Sequence, residues 1–256
     1  MTSALMQGKK ILIVGIANDK SIAYGCAKQL RAAGAELAIT YLNDKAERFV
    51  RPLAEELGAE IFMPLDVTVE GQMEGVFNTC KEKWGKIDGV IHSLAFCPLE
   101  DLHAPLSECS REGFKQALDV SCYSFIEMAR YAKTMMPDGG NLISFSYLGS
   151  AIATGDYNIM GCAKASLEAA TRYLARDLGP QGIMVNCISP GTIATRAAGG
   201  IKDFDNMLQL NKELSCDNQL PTIEEVGNAA LYFMSDLSQG VTGQIHYVDH
   251  GVCIAG

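Results

Sequence analysis

The chain has no Cys-x-x-Cys pair, no Gly-x-Gly-x-x-Gly run, no apolar stretch near the length of a membrane span and no excess of positive charge. Each absence removes a class. Without a long apolar run there is no candidate for membrane insertion. With 21 Lys+Arg against 30 Asp+Glu, a net charge of −9 disfavours broad contact with nucleic acid or an anionic membrane. The nine cysteines are odd in number and scattered, which fits buried free thiols in a reducing cytoplasm and neither a disulfide framework nor a metal site. His246 and His250 are four apart, but on a strand and turn that spacing does not align them as ligands, so no metal is expected. Residues 1–10 are short and polar and lack the apolar region of a secretory leader, so a cytoplasmic protein is expected.

What is present suits a full globular core: 48% hydrophobic and 20% charged residues. Strand-like and helix-like segments alternate throughout. Strands are expected at 10–15, 36–41, 60–65, 87–94, 141–146, 183–189 and 244–248. Helices are expected at 21–33, 44–57, from an N-cap at Thr68 to about Trp84, 111–136 as one long element, 157–178 and 222–234. A loop holds Pro98 and Pro105, and 190–220 reads as irregular or partly helical. The rhythm predicts an α/β, doubly wound, Rossmann-type fold, with a parallel sheet of about seven strands and helices on both faces. No linker, repeat or low-complexity segment divides the chain, so 1–256 is expected to form one domain, with a substrate-binding loop at about 190–220. Ligands of such sheets bind beyond the carboxyl ends of the strands, here Gly15, Tyr41, Asp66, Leu94, Tyr147 and Ser189-Pro190.

The first of these ends is the run Gly15-Ile16-Ala17-Asn18-Asp19-Lys20-Ser21-Ile22-Ala23-Tyr24-Gly25. A glycine at the strand end permits a tight turn, and the next helix aims its amides at a pyrophosphate. An ordinary turn with Ser21 as N-cap would leave a similar trace; the position after the first strand favours the dinucleotide reading. The second strand ends in Tyr41-Leu42-Asn43 with no arginine for a 2′-phosphate, which favours NADH over NADPH. Asp66 suits either an acceptor for the adenine amino group or a plain turn residue.

Tyr157 and Lys164, with Tyr147 upstream, carry the chemistry. A seven-residue helical step turns through about 700°, so phenol and ammonium share a face. The cation is expected to lower the phenol's pKa and make the pair a proton donor or oxyanion stabiliser. Taken alone, the spacing also fits a surface tyrosine and a solvated lysine. His92 reads as a packed strand-end histidine rather than a general acid.

Seven motifs in order narrow the field: Ser21-Ile22-Ala23-x-Gly25, Asp66-Val67, His92-Ser93-Leu94-Ala95-Phe96, Asp119-Val120-Ser121-x-Tyr123-Ser124, Ser146-Tyr147-Leu148-Gly149, Tyr157-Asn158-x-Met160-Gly161-x-Ala163-Lys164-Ala165-Ser166-Leu167-Glu168-Ala169, and Gly200-Ile201-Lys202-Asp203-Phe204. With these, essentially the whole chain resembles the NADH-dependent enoyl-[acyl-carrier-protein] reductases of bacterial fatty-acid synthesis, a divergent branch of the short-chain dehydrogenase/reductases.

The resemblance implies that Tyr157 bonds the thioester oxygen of a trans-2-enoyl substrate carried on acyl carrier protein. It implies that Lys164 holds the nicotinamide ribose, and that Tyr147 lines the acyl pocket as a second active-site tyrosine. Gly15, Ser21, Ile22, Asp66, Val67 and Leu94 would contact NAD, with Leu42 on the adenosine side. Ile193, Ala194, Thr195, Arg196 and Ala197 would pass over the pyrophosphate and nicotinamide. Cys97 would contact substrate, and Met160, Ile201 and Phe204 either line an acyl tunnel or pack the core. A homotetramer joined through helices 111–136 and 157–178 is implied by the same likeness. Three places depart from the pattern: Ser189-Pro190-Gly191-Thr192, Asp205 where a basic residue is common, and His250 where glycine is usual. The alternatives are a short-chain enzyme acting on a carbonyl or hydroxyl, with Ser144 or Ser146 supplying its hydroxyl, and a non-catalytic NAD-binding scaffold.

Overall fold

The computed structural model describes residues 4–255 except Asp156, Arg196, Ala197, Ile201 and Lys202. Strands β1 (Lys10–Val14), β2 (Glu36–Tyr41), β3 (Ile61–Pro64), β4 (Gly89–His92), β5 (Gly140–Phe145), β6 (Ile183–Pro190) and β7 (Ile245–Val248) form one sheet. Their order is β3-β2-β1-β4-β5-β6-β7, and every neighbouring pair is parallel. The chain reverses direction across the sheet between β1 and β4, where an open parallel sheet leaves a crevice.

Alternation along each strand sends side chains to opposite faces. On one face Leu12, Val14, Ala38, Val90, Leu142, Val185 and Cys187 pack under α3 (Gln72–Trp84), α6 (Ser124–Ala132) and α7 (Asn158–Leu178). On the other, Ile11, Ile13, Ile39, Ile91, Ile143 and Ile188 pack under α1 (Ile22–Ala32), α2 (Asp44–Glu56) and α9 (Ile223–Met234). Both faces are covered, which is why the strands read as continuous apolar runs. The expected α/β architecture is thus present.

Some expectations need correction. The helix foreseen over 111–136 is three pieces: α5 (Arg111–Leu118), a π-helical segment Asp119–Tyr123, and α6 with a 3-10 turn at Lys133–Met135. Apolar periodicity continues through a one-residue bulge, so the break left no trace in the pattern. Thr68 does not cap α3; Gly71, with φ +83°, stands there, and Thr68 donates through its amide and hydroxyl to Asp66 Oδ1 (2.9 and 2.6 Å). The loop with Pro98 and Pro105 holds a short helix, α4 (Leu99–His103), and 190–220 holds α8 (Phe204–Leu214). The nine cysteines are free, but only Cys26, Cys80, Cys122 and Cys187 are buried, and Cys216 is exposed.

α1 and α9 approach closely through facing glycines. A Cβ on Gly25 would lie 2.2 Å from the Ile223 carbonyl oxygen, and one on Gly227 would lie 2.6 Å from the Gly25 carbonyl oxygen. A backbone obstacle at that range cannot rotate away. Gly25→Ala should therefore destabilise the fold by about 1–3 kcal/mol through overpacking, outweighing the roughly 1 kcal/mol that alanine gains in helix propensity. Urea unfolding checks the sign; a more stable variant would refute the contact.

Candidate active site at the carboxyl edge of the sheet

Several of the expected residues lie at or just beyond the carboxyl ends of the strands. Gly15 follows β1 with φ +110°, and a Cβ there would sit 2.1 Å from the Ser93 carbonyl oxygen. Only glycine lets the turn lie this close to the exit of β4. Ser21 occupies the N-cap position of α1, yet its hydroxyl does not cap the helix; it accepts from the amides of Ala17 and Asn18 (3.0 and 3.1 Å). The serine shapes the turn and leaves the helix start, at Ile22 and Ala23, without a side-chain cap. An uncapped N-terminus at a strand end suits an anion such as a pyrophosphate.

Leu42 is exposed beyond β2, and Asn43 caps α2 by accepting from Lys45 and Ala46. Asp66 Oδ1 accepts both Thr68 bonds, so the carboxylate shapes the turn after β3. Val67 and Leu94 are half-buried at the edge of the core. Ile193 packs against the other cluster, Ala194 is exposed, and Thr195 accepts from Ala198 through its hydroxyl (3.2 Å). Arg196, Ala197 and Ile201 lie outside the described residues, as does Lys202.

Tyr157 is the residue just before α7, and Lys164 lies two turns in, as the spacing requires. Lys164 is buried and donates from Nζ to the Phe145 carbonyl at 2.6 Å, so it bonds the last residue of β5 rather than the phenol. Burial lowers its pKa to about 8, opposed by Cys187, Cys122 and Glu168. The expected lowering of the Tyr157 pKa is overturned. Burial pushes the phenol up, and neighbouring Tyr147 adds to the rise. Both influences act in the same direction, and the phenol stays neutral as a hydrogen-bond donor.

Tyr147 meets Tyr157 edge-on, with ring centroids 4.7 Å apart and planes at 61°. Its hydroxyl lies 3.2 Å from Thr192 Oγ1 and 3.9 Å from Met207 Sδ of α8. Thr192 and Met207 were missed by sequence reasoning; the end of β6 marked the first, whereas no local pattern marked the second. Asn158, with φ +31°, donates through Nδ2 to the carbonyls of Leu102 and Ala104 (3.0 and 2.9 Å) and ties α4 to the base of Tyr157. Cys97 and Tyr157 pack against the cluster of Leu102, Ala117, Ile159, Met160 and Ala163. Met160 is buried in this cluster, against which Tyr157 packs. Burial pushes the Cys97 thiol up to about 11, so it is no nucleophile at neutral pH. Phe204 opens α8 and is half-buried.

His92 is fully buried between two hydroxyls, with Nδ1 2.9 Å from Ser144 Oγ and Nε2 2.7 Å from Ser124 Oγ. Ser124 donates its own proton to the Val120 carbonyl, so Nε2 carries the ring hydrogen and Nδ1 accepts from Ser144. This occupies Ser144, while Ser146 donates to Glu168. Neither serine is presented as the free hydroxyl that a carbonyl-reducing site would need. His250 has φ +54° and places Nδ1 2.8 Å from Asp217 Oδ2 and Nε2 3.5 Å from Glu225 Oε1.

This sheet, with a tyrosine and a lysine at the head of the helix after its fifth strand, defines a Rossmann-type oxidoreductase of the short-chain dehydrogenase/reductase kind. The family model described as Enoyl-(Acyl carrier protein) reductase matches residues 15–253, and the chain belongs to that family. It is 47% identical over 254 residues to an enoyl-[acyl-carrier-protein] reductase [NADH] of Rhizobium meliloti, spanning 99% of this chain and 93% of the relative. The enoyl-acyl-carrier-protein reductase of Anaplasma phagocytophilum, solved in complex with NAD, superposes with a TM-score of 0.95 at 43% identity, covering 98% of this chain and 96% of that one. That of Bacillus cereus, solved with NADP+ and an indole naphthyridinone, gives 0.96 at 43% identity, covering 98% and 99%.

Burial lowers the His92 pKa from 6.5 to about 3. The folded state then binds fewer protons than the unfolded chain. The stability held by the neutral ring is complete above about pH 6.5 and is lost as pH falls toward 3, at about 1.4 kcal/mol per pH unit. His92→Gln should flatten unfolding free energy against pH between 6 and 4; an unchanged slope would show that the ring takes up a proton while folded.

Proposed function

We propose that the chain is an NADH-dependent enoyl-[acyl-carrier-protein] reductase, reducing the trans-2 double bond of enoyl thioesters in fatty-acid elongation. The observation that carries the reading is Tyr147 set edge-on against Tyr157 beside a neutral phenol. NADH, when bound, supplies the hydride received by the β-carbon. Tyr157 donates a hydrogen bond to the thioester oxygen as enolate charge develops there, in a site dry enough for that bond to be strong. Lys164, held by the Phe145 carbonyl, binds the nicotinamide ribose. Tyr147, steadied by Thr192, packs along the acyl chain. Gly15, Ser21, Ile22, Leu42, Asp66, Val67, Leu94 and the 193–197 stretch form the NAD contacts, with Cys97, Met160, Ile201 and Phe204 on the substrate side.

NADH rather than NADPH is assigned because the end of β2 offers Leu42 and the helix-capping Asn43 to the ribose, and no arginine. The segment 190–220, containing α8, is the substrate-binding loop. The protein works in the cytoplasm as a homotetramer on substrates carried by acyl carrier protein. Exposed Tyr123 and Ile126 near the π segment and Tyr173 on α7 suit subunit contacts. Among the described residues no helix is long and apolar enough to cross a membrane.

NADH oxidation should accompany a trans-2-enoyl thioester and not a 3-ketoacyl thioester, with NADPH run alongside; the reverse substrate preference would sink the assignment. Tyr157→Phe should lower turnover about 100-fold, the loss of one oxyanion donor, with NADH affinity nearly unchanged. Equal losses in turnover and NADH binding would make Tyr157 a binding residue only.

A further inference from the structure

Glu168 stands one helical turn beyond Lys164 on α7, so the two side chains share a face. A single oxygen, Oε1, accepts from two hydroxyls, Ser146 Oγ and Ser150 Oγ. These serines bracket Tyr147. Ser146 follows β5 and is buried, and Ser150 closes the 3-10 turn Leu148–Ser150. The turn that aims Tyr147 is therefore pinned at both ends to the helix that carries Lys164 and begins beside Tyr157.

We propose that Glu168 is a positioning residue for the reductase site, holding Tyr147 against Tyr157 through Ser146 and Ser150 while presenting its charge to Lys164. The proposal rests on the reductase reading of the site. It is supported by what else faces the ammonium. Cys187 on β6 is pushed up to about 12, and Cys122 of the π segment is also raised, so both are neutral thiols at physiological pH. His92 on β4, with its pKa lowered to about 3, is an uncharged ring. The phenol of Tyr157 is neutral as well. Among the described residues that act on Lys164, Glu168 is thus the one carboxylate; it opposes the desolvation that drives the lysine toward its neutral form, and the two thiols add to it only when ionised. Oε1 takes the two hydroxyls on its two lone pairs, so a single carboxylate holds both serines.

The test uses the full chain with Glu168→Ala, Glu168→Gln and the double variant Ser146→Ala/Ser150→Ala. Glutamine can still accept both hydroxyls through its carbonyl oxygen but carries no charge. Turnover of a trans-2-enoyl thioester at saturating NADH should fall at least tenfold in Glu168→Ala and in the double-serine variant. Glu168→Gln should recover at least fivefold over Glu168→Ala at pH 7. The pH at which the alkaline limb of the rate profile falls should move lower in both Glu168 variants and stay in place in the double-serine variant. Lysine side-chain NMR gives a readout that needs no substrate: the titration midpoint of Lys164 should drop in Glu168→Gln. If wild-type protein fails to turn over the enoyl thioester, the reductase reading fails, and the NMR midpoint still judges the electrostatic half of the proposal. An unmoved midpoint with wild-type turnover in every variant would overturn the proposal. So would equal loss of turnover and of NADH binding in all three, which is the signature of a merely structural residue.

Discussion

The site depends on one buried hydrogen bond, from Lys164 Nζ to the carbonyl of Phe145. A cation taken out of water is costly unless it is well bonded, and a sheet that has just ended supplies a carbonyl with no further strand to pair with. That bond fixes how far along β5 the helix α7 sits. Tyr157 at the head of the helix and Tyr147 just after the strand then have little choice but to meet. The aromatic contact at 4.7 Å is the consequence of this anchoring as much as of ring attraction.

The same economy explains why burial governs the electrostatics. The lysine is depressed, the phenol is raised and the histidine is kept neutral by the low-dielectric environment between sheet and helices. A phenol that stays protonated is a better partner for charge developing on an enolate oxygen than a phenolate would be, because a phenolate has no hydrogen to give. The sign of the Tyr157 shift thus bears on the kind of chemistry the site supports. It favours stabilising an oxyanion over relaying a proton at neutral pH.

The sheet, the position of the turn at Gly15 and the sharing of one face by Tyr157 and Lys164 were legible in the sequence because each follows from local periodicity or a local backbone demand. The π segment was not legible, since one extra residue in a helix leaves the apolar stripe nearly intact. Nor was the role of Ser21, because an N-cap residue and a turn-organising residue are chemically the same. The direction of the Tyr157 shift was misjudged because spacing reports who is near and says nothing of how much water is excluded. Thr192 and Met207 come to Tyr147 from just beyond β6 and from α8, across 45 and 60 residues of chain, a distance no motif spans.

The π segment sets the phase of the helix on either side of it. Ser121, within it, both accepts from the amide and donates to the carbonyl of Phe96 (3.0 and 3.2 Å), holding the loop after β4. Ser124, just beyond, carries the bond to His92 at the end of the same strand. In an unbroken α-helix, residues three apart diverge by about 60° around the axis, and the widened turn changes that angle. Removing one residue between 119 and 123 would wind everything downstream back by about 100°. The hydroxyl that fixes the histidine tautomer would then swing away, and Phe125 and Met128 would leave the core they now fill. The helix is one rod to the eye, but it carries two registers, and the strand it covers is held by both.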